Sequence, residues 1–457
     1  MRIKFFVILL SALCLQWSKE ATAIASTNGY GYSLESTLVM AIENDPWLKK
    51  SQYQEKSLLS EGLAASSLPD PKASVSMANL PVDDFSFNSQ PMTQFKLGLS
   101  QTFARGDSLE LKGDIKNLQA GVQPYLRANR KTQLMMQVGS IWLDAYKAQK
   151  SIELIRNKKH LFQELKEAAE INYRTAIQSS SQQELVRADL ELSKLDDQIT
   201  VHEDNLHRSI RKLSEYMPLP QSYLSHDGNT TQTNYFSSDL PSIQLLNKKG
   251  AAQKHPLVVA MDHSIASSAK MVDLKKQGYK PQFTLSGSYG LRNDAPGGEE
   301  RPDFFSLGVS FDIPLFTENK QDKEVEAAVY KKESRREERA LIINKLVAGY
   351  DTQISRLDSL NKRLNLYRNK IFPQIFLQGE ASMTAYSNNE ADFAELVRAR
   401  IDEVNAQLTV LDIAVEIQKA KLRANYYQAE SSKELLAHIG INSNLSTFKK
   451  AAGDSNE

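Results

Sequence analysis

The sequence predicts a mainly α-helical protein with a membrane β-barrel portion, in which a block of two strands and a pair of long helices is written twice. Three observations predict it. The chain carries an internal two-fold repeat, it has four segments of about ten residues that alternate apolar and polar side chains, and its longest uninterrupted stretches place apolar residues at coiled-coil spacing.

The N-terminus stands apart from this pattern. Arg2 and Lys4 precede an apolar run from Phe5 to Leu15, and Ala21-Thr22-Ala23 follows as a small-x-small cleavage site. That order is a secretory signal peptide over residues 1–23, with an uncleaved N-terminal anchor as the alternative. Cys14 is the sole cysteine and falls inside it, after Leu13 rather than a small residue, so a lipoprotein anchor is not expected. The exported chain is then expected to lack disulfides, thiolate metal sites and a cysteine nucleophile. Lys and Arg number 56 against 55 Asp and Glu, which gives no basic face for nucleic acid. No segment reaches eighteen consecutive apolar residues. Strands, closed into a barrel, are the remaining way for such a chain to cross a bilayer.

The repeat is read from landmarks at one spacing. Pro46 corresponds to Pro256, Pro71 to Pro281, and Phe95-Lys96-Leu97-Gly98-Leu99-Ser100 to Phe305-Ser306-Leu307-Gly308-Val309-Ser310, each 210 residues apart. Glu184-Leu185-Val186-Arg187-Ala188 recurs letter for letter at residues 395–399. The blocks are assigned to residues 24–217 and 242–440, with a link at 218–241 and a tail at 441–457. Each runs helix, strand, strand, long helix, turn, long helix. Ser33 is a good N-cap for the first helix, with Glu35 in its opening turn. A matching helix is expected from about Ser242 towards Gly278.

The predicted strands are 72–80, 93–103, 282–291 and 305–315. Odd positions carry Val75, Met77, Leu97, Leu99, Leu285, Tyr289, Leu307, Val309 and Phe311, while even positions carry mainly Ser, Thr, Gly, Gln and Lys96. One face is apolar and the other wet, at the length a tilted barrel strand needs. Half-buried hairpins of a soluble protein would show the same alternation. Four strands are too few to close around water, so protomers must pool them, and three copies supply twelve. The polar connections Pro81–Met92 and Arg292–Asp303 suit the extracellular side of such a barrel.

From Ser108 to about Thr175 a helix would span about 100 Å at 1.5 Å per residue, with a local kink expected at Pro124. Leu185, Leu192, Ile199, Leu206 and Leu213 then recur every seven residues. Phe393, Val397, Ile401, Val404, Leu408, Leu411 and Val415 step by fours and threes. A coiled-coil scaffold would account for these helices but not for the strands. Short polar turns, Tyr173–Glu184 and Tyr386–Glu395, join the helix pairs at their far tips. No phosphate loop, nucleophile elbow or zinc-helix motif is present, and no cofactor or enzymatic activity is expected. His202 lies on the heptad seam, where a packing or seam-polar role is expected, and His255 precedes Pro256 at an expected helix break, where a structural role is expected. Met135 and Met136 read as core.

The leader, the repeat, the paired strands and the long helices together resemble the TolC-like outer-membrane efflux proteins over nearly the whole exported chain. The Phe-x-Leu-Gly-x-Ser strands and the Glu-Leu-Val-Arg-Ala tips carry the resemblance. Leu68-Pro69-Asp70-Pro71, Ala78-Asn79-Leu80-Pro81-Val82-Asp83 and Pro91-Met92-Thr93-Gln94 are similar to members paired with heavy-metal or copper RND pumps. The resemblance implies a homotrimer whose twelve strands form one barrel in outer-membrane lipid above a periplasmic helical tunnel. It also implies docking on a periplasmic adaptor and an inner-membrane pump. Glu395 matches a position where the family places a pore carboxylate, and Arg398 stands where another acid often occurs. A pairing of Glu395 with Arg398 across protomers would hold the tip closed, and an i,i+3 surface pair is the alternative. Asp392 and Glu390, with Glu184 and Arg187 at the first tip, complete the candidate gate set. Ala176 and Asn389 stand in place of the family's tip glycine.

Overall fold

The computed structural model describes residues 32–175, 181–219, 235–237, 239–248, 250–388, 390 and 393–431. The expected signal peptide, the C-terminal tail, most of the inter-repeat link, and Ala176, Asn389 and Asp392 lie outside them. The elements in chain order are α1 (Leu34–Glu43), α2 (Pro46–Ser66), β1 (Lys72–Ala78), β2 (Gln94–Phe103), α3 (Ser108–Thr175) and α4 (Ser181–Leu213). The second half supplies α5 (Ala251–Lys254), α6 (Pro256–Lys276), β3 (Gln282–Leu291), β4 (Phe304–Asp312), α7 (Gln321–Leu366), α8 (Phe372–Ser387) and α9 (Phe393–Gln428). The duplication is visible in α2 and α6, which are both 21 residues long and both open on proline. The missing proline N–H costs nothing in the first turn of a helix.

By internal contacts the chain forms two compact units. One holds residues 46–130 and 249–347, the other residues 1–45, 131–248 and 348–457. In the first, β1 to β4 form one antiparallel sheet in sequence order. Each block lays its short helix along the start of a long one. α2 meets α3 through Arg127–Glu55 at 2.6 Å, Lys116–Glu61 at 2.6 Å and a buried Ser51 hydroxyl that donates to Gln123 Oε1 at 2.9 Å. Gly62 and Gly113 allow this approach, since a Cβ on Gly113 would stand 3.2 Å from that of Ser66. α6 meets α3 through Lys270–Asp114 at 2.8 Å.

The second unit is built on the predicted stripes. Ile199, Leu206 and Leu213 of α4, and Phe393, Val397, Val404 and Val415 of α9, are buried in one continuous core with residues of α3 from Leu134 to Ala169. Trp142 anchors this core. Its indole N–H donates to the Tyr32 carbonyl at 3.0 Å, and its ring stacks on Tyr146 and meets Phe236 edge-on.

Several boundaries differ from those expected. β1 stops at Ala78 because Asn79 takes a left-handed backbone at φ 57°, which turns the chain out of the ladder. β4 stops at Asp312, two residues before Pro314, which has no N–H to give a ladder. The helix expected from Ser242 begins only at Ala251 and restarts at Pro256. Residues 240–248 instead run without helical structure along α9. The N–H groups of Ile243, Leu246 and Lys248 donate to Gln418, Asn425 and Gln428 side chains at 3.0, 2.7 and 2.9 Å. These side chains replace the helical carbonyls as acceptors. His255 is buried and caps α6, its Nδ1 accepting from the Leu257 N–H at 3.2 Å. α3 runs through Pro124 without ending. Ahead of Pro373 the helix widens to a π-turn at Tyr367–Ile371, since a proline there offers no N–H and its ring presses on the preceding turn.

Two outcomes follow. Trp142→Ala removes a fully buried ring and its hydrogen bond and should destabilise the protein by about 3–5 kcal/mol, read as a lower denaturation midpoint. Burial, and then the Lys147 ammonium, hold the His202 imidazole below its ordinary pKa. The unfolded chain therefore takes the proton first, so stability is complete above about pH 6.5 and declines as pH falls through that value. His202→Gln should flatten that decline in thermal scans.

Candidate functional site

The sheet's register sorts its side chains into two faces. Cross-strand rows run odd to odd: Val75, Leu97, Tyr289 and Phe305 form one, Ala73, Leu99, Gly287 and Leu307 the next, and Phe103, Phe283 and Phe311 a third. The even rows are Ser74, Gly98, Ser288 and Ser306, then Lys72, Ser100, Ser286 and Gly308, then Thr102, Thr284 and Ser310. Thr102 and Thr284 share a hydrogen bond across the wet face at 3.1 Å. Among the described residues nothing covers the odd face. Leu99 is 61% exposed and Leu307 73% exposed. A contiguous apolar sheet face of this size marks contact with lipid or another protein.

Both edges of the sheet are also unpaired within the protomer. β1 and β4 each bond on one side only. Because neighbours alternate in direction, β1 and β4 point oppositely, so the two edges have the directions that antiparallel pairing between copies would need. Polar clusters close both ends of the strands. Beyond the β3–β4 hairpin, Arg301 donates to the Asn88 and Gln90 carbonyls at 3.0 and 3.2 Å, and Arg292 to the Pro91 carbonyl at 3.0 Å. These bonds tie the two hairpin connections together. At the helix end, Arg105 pairs with Asp312 and donates to the Gly278 and Lys280 carbonyls at 3.0 and 3.2 Å.

At the helix tips Glu390, Glu395 and Arg398 are exposed, Glu184 and Arg187 are half-buried, and Asp392 lies outside the described residues. α3 ends at Thr175 and α4 begins at Ser181, and α8 ends at Ser387 and α9 begins at Phe393. Glu395 and Arg398 do not pair with each other or with another described side chain, so the i,i+3 surface pair is not formed. Arg187 and Arg398, equivalent by the repeat, line one groove of about 240 Å³ between α4 and α9, with Glu191, Lys194 and Asn405. The structure thus brings these two arginines together and leaves Glu395 and Glu390 pointing to solvent.

Sequence reasoning missed the charged cluster just above. Arg400 and Glu403 of α9 have side chains only 9% and 4% exposed. Arg400 bonds Glu403 at 3.2 Å and Glu380 of α8 at 2.9 Å, while Lys158 of α3 reaches Glu403 at 2.7 Å. Gly379 makes the room, since a Cβ there would lie 3.1 Å from an Arg400 guanidinium nitrogen. The signal was available: Arg400 and Glu403 flank the apolar stripe positions Ile401 and Val404, where a solvent-facing residue is not due. Among the described residues no group of three or more His, Cys, Asp and Glu side chains is gathered as for a metal ion. Among the described residues no helix is long and apolar enough to cross a membrane.

A sheet with one lipid-suited face, one wet face and two open edges defines a protomer of a strand-pooling membrane barrel. Residues 249–432 match the outer membrane efflux protein family. The same architecture appears in solved outer-membrane channels. CusC superposes with a TM-score of 0.71 at 12% identity, over 87% of this chain and 92% of that one. The Campylobacter jejuni CmeC outer membrane channel gives 0.69 at 12% identity over 91% and 90%, and the open state of the Neisseria gonorrhoeae MtrE outer membrane channel 0.69 at 13% over 87% and 88%. No curated protein matches the chain by sequence. The family match lies in the second repeat, and the shared architecture spans both repeats.

Leu307→Arg places a charge on the apolar face and should cost about 2–4 kcal/mol at mid-bilayer, whereas Ser306→Arg, one residue away on the wet face, should assemble normally. Yield of heat-modifiable oligomer in outer-membrane fractions distinguishes the two. Arg400→Ala leaves Glu403 buried beside Lys158 alone and should destabilise by about 3–5 kcal/mol, with recovery in the Arg400→Leu, Glu403→Leu double variant.

Proposed function

We propose that this chain is one of three protomers of an exit duct that carries efflux cargo across the outer membrane. The observation that supports it most is the four-stranded sheet, apolar on its odd face, wet on its even face and open at both edges. Three copies pairing β4 to the next β1 give twelve strands, satisfy every edge N–H and carbonyl, and enclose water. Residues 1–23 direct export, the blocks 24–217 and 242–440 build barrel and helices, and residues 218–241 and 441–457 connect and complete them. The helices extend into the periplasm, where a periplasmic adaptor and an inner-membrane pump of RND type supply cargo and energy. The duct itself carries no catalytic residues.

At the tip, Glu395 and Arg398 have no ion-pair partner among the described residues and pair across protomers to hold the mouth shut, with Asp392, Glu390, Glu184 and Arg187 around them. The segments 68–71, 78–83 and 91–94 favour a pump for heavy-metal cations. A type I protein-secretion duct is the second reading of the same architecture. In membrane fractionation the protein should require detergent and run as a trimer; a detergent-free monomer defeats the duct and favours a periplasmic coiled-coil scaffold. In planar bilayers Glu395→Ala should raise basal conductance several-fold, and an unchanged trace removes the gate. A deletion strain sensitive to metals alone, among metals, bile salts and dyes, selects the metal reading.

A further inference from the structure

The wet face of the sheet carries charge, and the charge has one sign. Its side chains are mainly Ser, Thr, Gly and Gln, and its ionisable members in the strands are Lys72, Lys96 and Asp312. Asp312 is engaged: Arg105 pairs with it, and the Gln282 N–H donates to it at 2.8 Å. Neither lysine has a carboxylate partner among the described residues. Lys72 stands across from Ser100, and Lys96 lies between Ser76 and Gly290, with Phe304 beyond. No neighbour on these rows can neutralise an ammonium group. The register also prevents escape, because a one-residue slip would carry every apolar side chain to the wet face as well.

We propose that Lys72 and Lys96 give the interior of the assembled barrel a positive wall, so that the exit step favours anionic and neutral cargo over cations. The inference rests on the trimeric duct proposed above, in which the wet face lines the passage. Three copies then contribute six ammonium groups at two levels. Rings of like charge are how pores of other kinds bias which ions enter. The carboxylates of the hairpin connections, among them Asp83, Asp84, Glu299 and Glu300, stand beyond the strand ends. Lys72 is six residues from Ala78, about 20 Å along an extended strand. That is more than two Debye lengths, each about 8 Å, at physiological ionic strength, so their field is largely screened at its level. Free metal cations would cross this wall against its potential. The charge thus opposes the heavy-metal reading and fits cargo that leaves as an anion or as a neutral complex.

The test places a single cysteine at Ser100, directly across from Lys72, in a Cys14→Ala background. Outer-membrane trimers are then treated with a negatively and a positively charged methanethiosulfonate of similar size, each rate normalised to its reaction with a free thiol. The local readout is independent of whichever constriction limits conductance elsewhere. In the parent the anionic reagent should react about 3-fold faster at 0.1 M salt or below, and the two rates should converge at 1 M salt. Lys72→Glu with Lys96→Glu should invert the ratio, and Lys72→Gln with Lys96→Gln, which removes the charge and keeps the size of the Glu variant, should bring it to one. A ratio that does not change with these substitutions overturns the positive wall while leaving the duct intact. Failure of both reagents to reach Ser100→Cys in trimers that label normally after denaturation defeats the water-lined duct itself.

Discussion

The rest of the structure depends on the backbone hydrogen bonds that β1 and β4 do not make. A strand edge in lipid has no water to bond, and each unsatisfied amide or carbonyl there costs several kcal/mol. A four-stranded sheet curls too little to meet itself, so its edges must be met by other copies. The alternation of side chains follows from the same demand, because a closed wall has one side in hydrocarbon and one in water. So do the polar clusters that cap the strands. Arg105 at one end, and Arg292 and Arg301 at the other, donate to carbonyls where the ladder stops and the chain must turn, while Asp312 accepts from the Gln282 N–H.

The helical unit solves a different problem. Heptad stripes pack α3, α4 and α9 together, but an apolar stripe tolerates a slide by one repeat with little change in contact. Ion pairs do not. Lys147–Asp412 at 2.8 Å, Lys158–Glu403 at 2.7 Å and Lys419–Asp144 at 2.6 Å fasten α3 to α9 at three levels, and Arg356–Glu416 at 2.6 Å fastens α7 to α9. Burial raises the Glu416 carboxyl, but Lys419 and Arg356 outweigh it and leave its pKa lowered. Charges at such positions fix the register of the helices, whereas Glu395 and Arg398 near the start of α9 are exposed.

The strands and heptads were legible because their signals are local. Leu307 and Ser306 are neighbours in sequence whose faces are dictated by the two-residue period of a strand, and Leu206 follows Ile199 by the period of a coiled coil. The errors fell where distant residues intervene. The repeat predicts a helix from about Ser242, yet Gln418, Asn425 and Gln428 take the N–H groups of Ile243, Leu246 and Lys248 from some 175 to 180 positions away. Glu395 and Arg398 were marked by the repeat. The Lys158–Glu403–Arg400–Glu380 cluster was not, because its members come from three helices and only their meeting makes them a site.

By itself the sequence determined the period of every element, the duplication, and the division of strand residues into a lipid-suited and a wet face, since all of these are written within windows of a few turns or strands. The tertiary structure alone decided which charges are buried together, which arginines share a groove, and which lysines on the wet face lack a counter-ion. Those outcomes depend on distances between side chains far apart in the chain, and a carboxylate's neighbours in space are set by packing rather than by its neighbours in sequence.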